Sequence, residues 1–473
     1  MYRRIPIVAL CAAGVAAACS DSPQSTAPAV RTLEAGASAS NAPWASEKFV
    51  AIGTSISMGW LSNGVYSGSQ VQGWPALMRF GASDRISLPL IQPPGCQSPL
   101  LAPLGANMRL SGEPFSGSTV CAPNVPGTQL PTQNVAWAGA IAAYALQVTP
   151  ENAGPLYPWV SRVLPPGATQ VSAALSQQPT LVSIELGGND VLNATSGVIA
   201  FGVDVVPVPF FITAFDAVLD AVGSAGPKAI VFGMPLNGRN LPSMRRGEEI
   251  WADRAEFAAL HVDVSPDCAG SANYINVSLK SIVMVLTGAY TSAHGLPNPV
   301  YSCANVPSAT FDNPDFVLTA ADMDLLESML AQMAAHAKEQ AATRGYAFVS
   351  LGELYDRADL KPPVYSVVTQ LTSAYPYGPY ISLDGVHPGP LGHVVLARAA
   401  AKALNKTYPG IAAHAADSPV ASLANELVEP APSPLALEWA KRFAIEHQGD
   451  KLPRCLMPGG CTIGPLGGGP VLR

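Results

Sequence analysis

The chain has 473 residues, of which 48% are apolar and only 12% charged, and its formal net charge is −7. An acidic balance without basic clusters excludes the electrostatic footprint of nucleic-acid binding, so no nucleic-acid partner is expected. Glycine (42) and proline (45) are abundant enough to demand many turns and long loops. The length admits roughly two to four domains, or one large α/β domain carrying long insertions.

The N-terminus reads as a targeting segment. Arg3 and Arg4 precede an apolar run, Ile5 to Ala18, that is too short for an ordinary membrane span. The run ends Ala16-Ala17-Ala18-Cys19, followed by Ser20 and a polar Ser/Pro/Ala stretch. This resembles a relaxed bacterial lipobox, with Ala16 in place of the usual Leu; plain Ala-x-Ala cleavage is the alternative. Residues 1–18 are therefore expected as a signal peptide and 19–45 as a tether lipid-anchored through Cys19. By lipoprotein analogy, Ser20 rather than Asp after Cys19 favours the outer membrane. No later run is expected to span a bilayer, since Gly197 to Val222 is interrupted by Asp204, Pro207, Pro209 and Asp216.

The cysteines agree with export. Cys11 leaves with the leader and Cys19 is the lipid site, so six remain. Proximity pairs them 96–121, 268–303 and 455–461, one choice among many connectivities. No Cys-x-x-Cys and no His-Glu-x-x-His occurs, so a zinc site has little support in the sequence.

The first strand is Phe49 to Ile52, ending at Gly53-Thr54-Ser55. A buried strand that stops at a glycine and turns a serine outward can present a nucleophile, although Gly-Thr-Ser is also ordinary turn chemistry. Residues 58–133 read as an irregular insertion, with a short helix from Trp74 to Phe80. Trp60, Trp74, Phe80 and Phe115 could line an acyl pocket there, or serve as core aromatics. Asn134 to Ala140 opens an Ala-rich, helix-like stretch to about Gln147. Thr180 to Leu186 is a second strand, ending at Gly187-Gly188-Asn189-Asp190. An amphipathic helix follows over Phe210 to Val222, then a third strand, Lys228 to Met234. Residues 236–317 form a second insertion with helices over Trp251–Leu260 and Val277–Leu286. Thr319 to Arg344 is the clearest helix: Thr319 is a good N-cap with Asp322 in capping-box position, and Met323, Leu326, Leu330, Met333 and Ala337 recur at helical spacing as a core stripe. Tyr346 to Leu351 is a fourth strand, and Pro390 to Leu404 a final helix. Residues 411–473 read as an extension with a helix from Pro434 to His447.

Alternating strands and helices predict a mostly parallel sheet, whose functional residues sit at the carboxyl ends of the strands. Ser55 and Asn189 both occupy such ends. A serine hydroxyl needs a base within hydrogen-bond reach. Of the seven histidines, His387 is distinguished by Asp384 three residues earlier across a glycine, a turn spacing that lets the carboxylate fix the imidazole. His336 and His393 fall in helices and His414 and His447 in or near the tail, and they read as surface or packing residues. The Asn189 side chain can donate to a developing oxyanion, and Gly139 can bring its backbone N–H close.

The ordered set Gly53-Thr54-Ser55-Ile56, Gly139, Gly187-Gly188-Asn189-Asp190 and Asp384-Gly385-Val386-His387-Pro388 resembles the SGNH hydrolase superfamily, the GDSL esterases and lipases, over residues 47–405. The resemblance implies a three-layer α/β/α sandwich of flavodoxin-like type over residues 46–410, with insertions at 58–133 and 236–317 capping the strand ends. It also implies carboxylic ester hydrolysis through an acyl-enzyme. Ser55 is then the nucleophile, His387 the base and Asp384 its orienter, while the Ser55 and Gly139 N–H groups and the Asn189 side chain form the oxyanion hole. The substrate would be an ester or lipid; an acetylated carbohydrate is an alternative, as is a non-catalytic binding protein on the same fold. One departure stands out: the family's first block usually reads Gly-Asp-Ser-Leu, and Thr54 removes the carboxylate before the nucleophile.

Overall fold

A computed structural model describes residues 47–81, 85–115, 117–310 and 313–416. The leader, Cys19, the tether, the helix expected at 434–447 and the 455–461 pair lie outside the described residues. The described chain is mixed α/β, organised on four parallel strands. β1 (Phe49–Gly53), β2 (Leu181–Glu185), β3 (Lys228–Gly233) and β4 (Ala347–Ser350) lie side by side in that order. β1 and β2 are buried along their whole length, as strands covered on both faces must be.

A further segment borders β1. The Ala51 N–H donates to Gln133 O (2.7 Å) and the Ala51 carbonyl accepts from Val135 N–H (2.9 Å), forming a parallel bridge at Asn134. Both main-chain groups of Ala51 are engaged there, so this segment lies on the edge opposite β2. Counted as an edge strand, it gives the order 2-1-3-4-5, whose winding reverses between β1 and β2. Ligand crevices in open parallel sheets form at such a reversal, outside the carboxyl ends of the strands.

The helices around the sheet are α1 (Ser55–Met58), α2 (Gln170–Leu175), α3 (Val208–Ala225), α4 (Ala320–Thr343) and α5 (Pro390–Thr407), with others between. α2, α3 and α4 pack in series, α2 against β1 and α4 against β3 and β4. α5 packs on β3 and β4 and on the short helices Trp74–Leu77 and Gly352–Tyr355. The helix expected from Thr319 starts as its sequence dictates: the Thr319 side chain accepts from Asp322 N–H (3.1 Å) and Asp322 reaches back to Thr319 N–H (2.8 Å). α3 is long and apolar enough to cross a membrane, contrary to expectation, because Asp204 and Pro207 precede it and Pro209 falls in its first turn, where proline is tolerated. Its Phe211, Phe215, Val218, Leu219 and Val222 nevertheless lie in the protein core.

Several local expectations give way to tertiary pairing. Helix after Trp74 stops at Leu77, and Met78–Phe80 is a strand paired antiparallel with Ala413–Ala415, beyond the domain end expected at 410. The stretch from Asn134 is extended rather than helical, held by β1 and by Trp137 N–H donating to Gly53 O (3.3 Å); only Tyr144–Gln147 is helical. The helix expected over Trp251–Leu260 is two, Gly247–Ala252 and Arg254–Ala259, separated at Asp253. The next runs Lys280–Ala293, later than the expected Val277–Leu286. Disulfides Cys96–Cys121 and Cys268–Cys303 form as proximity suggested, one in each insertion, and they fit an oxidising, exported environment.

Candidate active site

β1 ends at Gly53, where a Cβ would lie 2.6 Å from Ser57 Oγ and 2.7 Å from Ser57 Cβ, so a side chain there would push Ser57 aside. Thr54 is extended and caps α1, its hydroxyl accepting from Ile56 N–H (3.4 Å), so Ser55 opens the helix at the carboxyl end of β1. Beneath this turn lies Glu185, the last residue of β2, fully buried. Its carboxylate accepts from Thr54 N–H (3.0 Å), the Thr54 hydroxyl (2.8 Å), Ser57 N–H (3.2 Å) and the Ser57 hydroxyl (3.0 Å). Burial pushes the Glu185 carboxyl up, against the pull of those donors. Thr54 thus faces a carboxylate supplied by the neighbouring strand. Sequence reasoning missed Glu185, although a lone acid inside an otherwise apolar strand was the signal available.

The serine meets its expected partners. His387 Nε2 lies 2.8 Å from Ser55 Oγ, and His387 Nδ1 lies 2.9 Å from Asp384 Oδ2. All three side chains are buried. The Asp384 turn is set by Gly385, whose φ of +75° belongs to the left-handed region. Asp384 Oδ1 accepts from the N–H groups of Val386 (3.0 Å) and His387 (2.9 Å) and from the Ser382 hydroxyl (3.1 Å). Burial raises the Asp384 carboxyl, but His387 and the hydrogen bonds outweigh it and hold it at about 2, so it is charged at neutral pH.

The first insertion locks this carboxylate from behind. Asn63 N–H donates to Asp384 Oδ2 (2.7 Å), and Ser62 N–H donates to Ser382 Oγ (2.9 Å). Ser62 and Asn63 both take left-handed φ, 52° and 56°. Buried Arg109 donates to the carbonyls of Asn63 (3.1 Å), Ser98 (2.6 Å) and Phe115 (2.9 Å). Burial lowers its pKa to about 10, partly offset by Glu113, so it keeps its charge at neutral pH. Ser62, Asn63 and Ser382 were not foreseen, because backbone donors and a lone serine leave no sequence pattern.

Asn189 opens a short helix after β2 and lines the same cavity as Ser55 and His387. One of its amide hydrogens goes to Ala140 O (3.0 Å), which leaves the second free. Gly139 is buried at a left-handed φ of +92°, one residue before that carbonyl, and is not among the residues lining the cavity. His393, on α5, accepts from Trp74 N–H at Nδ1 (3.2 Å); burial, reinforced by His387, lowers its pKa to about 3, so it is a neutral packing residue. His336 pairs with Asp216 (2.8 Å) away from the cavity lining.

A half-open cavity lies in front of Ser55. Its walls are Leu241 and Met244 from the second insertion, Leu318, and Met323, Leu326 and Leu330 of α4. None of the four aromatics considered for an acyl pocket lines it: Trp60, Trp74 and Phe80 are buried, and Phe115 packs on the core. No protein-family model matches the chain, and no curated protein is similar to it.

Proposed function

We propose that this chain is a serine carboxylic ester hydrolase of the SGNH type, built as a flavodoxin-like three-layer sandwich. The observation that carries this reading is the continuous chain from Ser55 Oγ through His387 to Asp384, 2.8 Å and 2.9 Å long, at the winding reversal of the sheet. The two groups of helices packed on β1, β3 and β4 support the layered fold.

In the proposed reaction His387 Nε2 accepts the proton as Ser55 Oγ attacks the ester carbonyl. Asp384, charged and held by five donors, fixes the tautomer that leaves Nε2 free to do so and steadies the imidazolium that forms. The oxyanion is received by the free Asn189 amide hydrogen and by the Ser55 N–H; Gly139, the third donor the resemblance implies, does not line the cavity. His387 then protonates the leaving alcohol, and water repeats the sequence to release the acid. No step calls on a metal or organic cofactor.

The test is a Ser55→Ala variant assayed on p-nitrophenyl esters with its fold checked by circular dichroism. Hydrolysis is expected to fall at least about a thousandfold; turnover close to wild type would remove Ser55 from the chemistry, and a folded wild type without turnover would return the chain to a binding role. The two disulfides support export, and with the Ala18-Cys19 junction they support a lipoprotein held to the outer membrane through Cys19. Labelled palmitate is expected in the wild type and absent from Cys19→Ala; label that persists in the variant removes the anchor.

A further inference from the structure

The wall of the cavity is the feature not used by the chemistry above. Most of its polar lining, Thr54, Ser55, Asn189 and His387, is grouped around the reacting end, and the exposed Asn237 is a further polar side chain on its lining. The Thr54 hydroxyl is engaged by Glu185 and that of Thr195, another lining residue, donates to Leu192 O (2.8 Å), so neither is left for a ligand. The remaining surface is overwhelmingly apolar, and its only ionisable side chains are those of His387 and Tyr355. Tyr355 is itself committed, its hydroxyl donating to Val386 O (3.0 Å).

Such a wall discriminates among esters. A sugar ring placed here would lose water from its hydroxyls and find almost no partners, at a cost that rises with each unpaired group. An acetyl group would leave most of the apolar wall uncovered. A hydrocarbon chain fills it, covering side chains that contribute only dispersion and apolar contact. Met234, Met244 and Met323 give the wall the adaptability that unbranched thioether side chains provide.

We propose that this cavity is an acyl-chain site, so that the substrate is an ester of a medium or long unbranched fatty acid rather than an acetylated carbohydrate. The inference rests on the hydrolase reading, which supplies the carbonyl position at Ser55. Its wall comes from the second insertion, α4 and residues just past the carboxyl ends of β2, β3 and β4 such as Leu192, Met234 and Leu351, and nothing from residues 58–133 contributes.

The experiment has two arms on the full chain. In the first, p-nitrophenyl esters from acetate to decanoate are compared by kcat/KM, with acetylated xylan alongside. Each added methylene is expected to raise kcat/KM about three- to fourfold until the site is full. Leu326→Trp, which fills the wall, is expected to lower the decanoate-to-acetate ratio at least tenfold; Leu330→Phe is the second filling variant if the first does not fold. In the second arm decanoate and acetate are titrated calorimetrically into Ser55→Ala. Binding of decanoate but not acetate supports the site. A flat chain-length profile in an active enzyme, preference for acetylated xylan, or no decanoate binding by folded Ser55→Ala overturns it. Because the second arm needs no turnover, an inactive wild type that still binds decanoate would sink the hydrolase reading while supporting the site.

Discussion

Residues 58–133 reach the site through hydrogen bonds, whereas residues 236–317 reach it mainly through apolar side chains of the cavity wall. The first insertion ends on Asp384: Asn63 N–H and the Ser62–Ser382 link restrain the carboxylate, and Arg109 ties the Asn63 carbonyl to two further segments. It lines none of the cavity, and its tryptophans are packed away. The second places Leu241 and Met244 in the cavity wall; its Ser243 N–H donates to Gly385 O (3.3 Å) in the Asp384–His387 turn, but among the described residues it makes no hydrogen bond to Ser55, Asp384 or His387. Two segments of similar character in composition, each closed by one disulfide, thus divide the work by chemistry. A polar clamp sets the geometry of the reacting groups and is indifferent to what the substrate carries. An apolar wall sets which acyl group is retained.

That division can be broken by a variant on the clamp side. Ser382→Ala removes a hydroxyl that donates to Asp384 Oδ1 and accepts from Ser62 N–H, leaving a buried donor unpaired. The loss of one hydrogen bond to a charged group is about 1.5 kcal/mol, so kcat is expected to fall about tenfold on every ester. The decanoate-to-acetate ratio should stay as in wild type. A ratio that moves as far as the rate would show that the clamp also shapes the acyl site, and the comparison would collapse.

How much of this was legible in the sequence depends on how local each determinant is. The glycine that ends β1, the glycine pair that follows β2, the Thr319 capping box and the Asp384–His387 turn are set by residues within a few positions, and they read directly. The segment from Asn134 misled because its alanines favour helix, while its pairing with β1 depends on a strand more than 80 residues earlier. The stripe on α4 was read as core. Periodicity reports that Met323, Leu326 and Leu330 turn inward, but it is silent on whether the inside is packed or hollow. Glu185 answers the Thr54 departure from across the sheet, a compensation no single block could reveal. Cys19 and the 455–461 pair lie outside the described residues.

The smallest expected effect sharpens the comparison from the second insertion's side, through stability rather than rate. Asp253 sits between the two helices of that insertion, with one carboxylate oxygen accepting from Val367 N–H (2.7 Å). Burial raises its pKa to about 8, against the Val367 bond and with help from Glu256, which itself accepts from Ser366 Oγ (2.7 Å). A carboxyl whose folded pKa exceeds its unfolded value near 3.8 contributes fully below the lower value. It loses that contribution as pH rises towards 8, because the unfolded chain ionises first. Asp253→Asn keeps an oxygen for Val367 and removes the ionisation. It is therefore expected to match wild type near pH 4 and to be more stable by at least about 1 kcal/mol at pH 8. Urea denaturation at the two pH values measures the difference. The acyl-chain profile should be unchanged, since Asp253 does not line the cavity. Equal stabilities at pH 8 would mean that Asp253 is ionised in the folded protein and that the second insertion carries no buried proton.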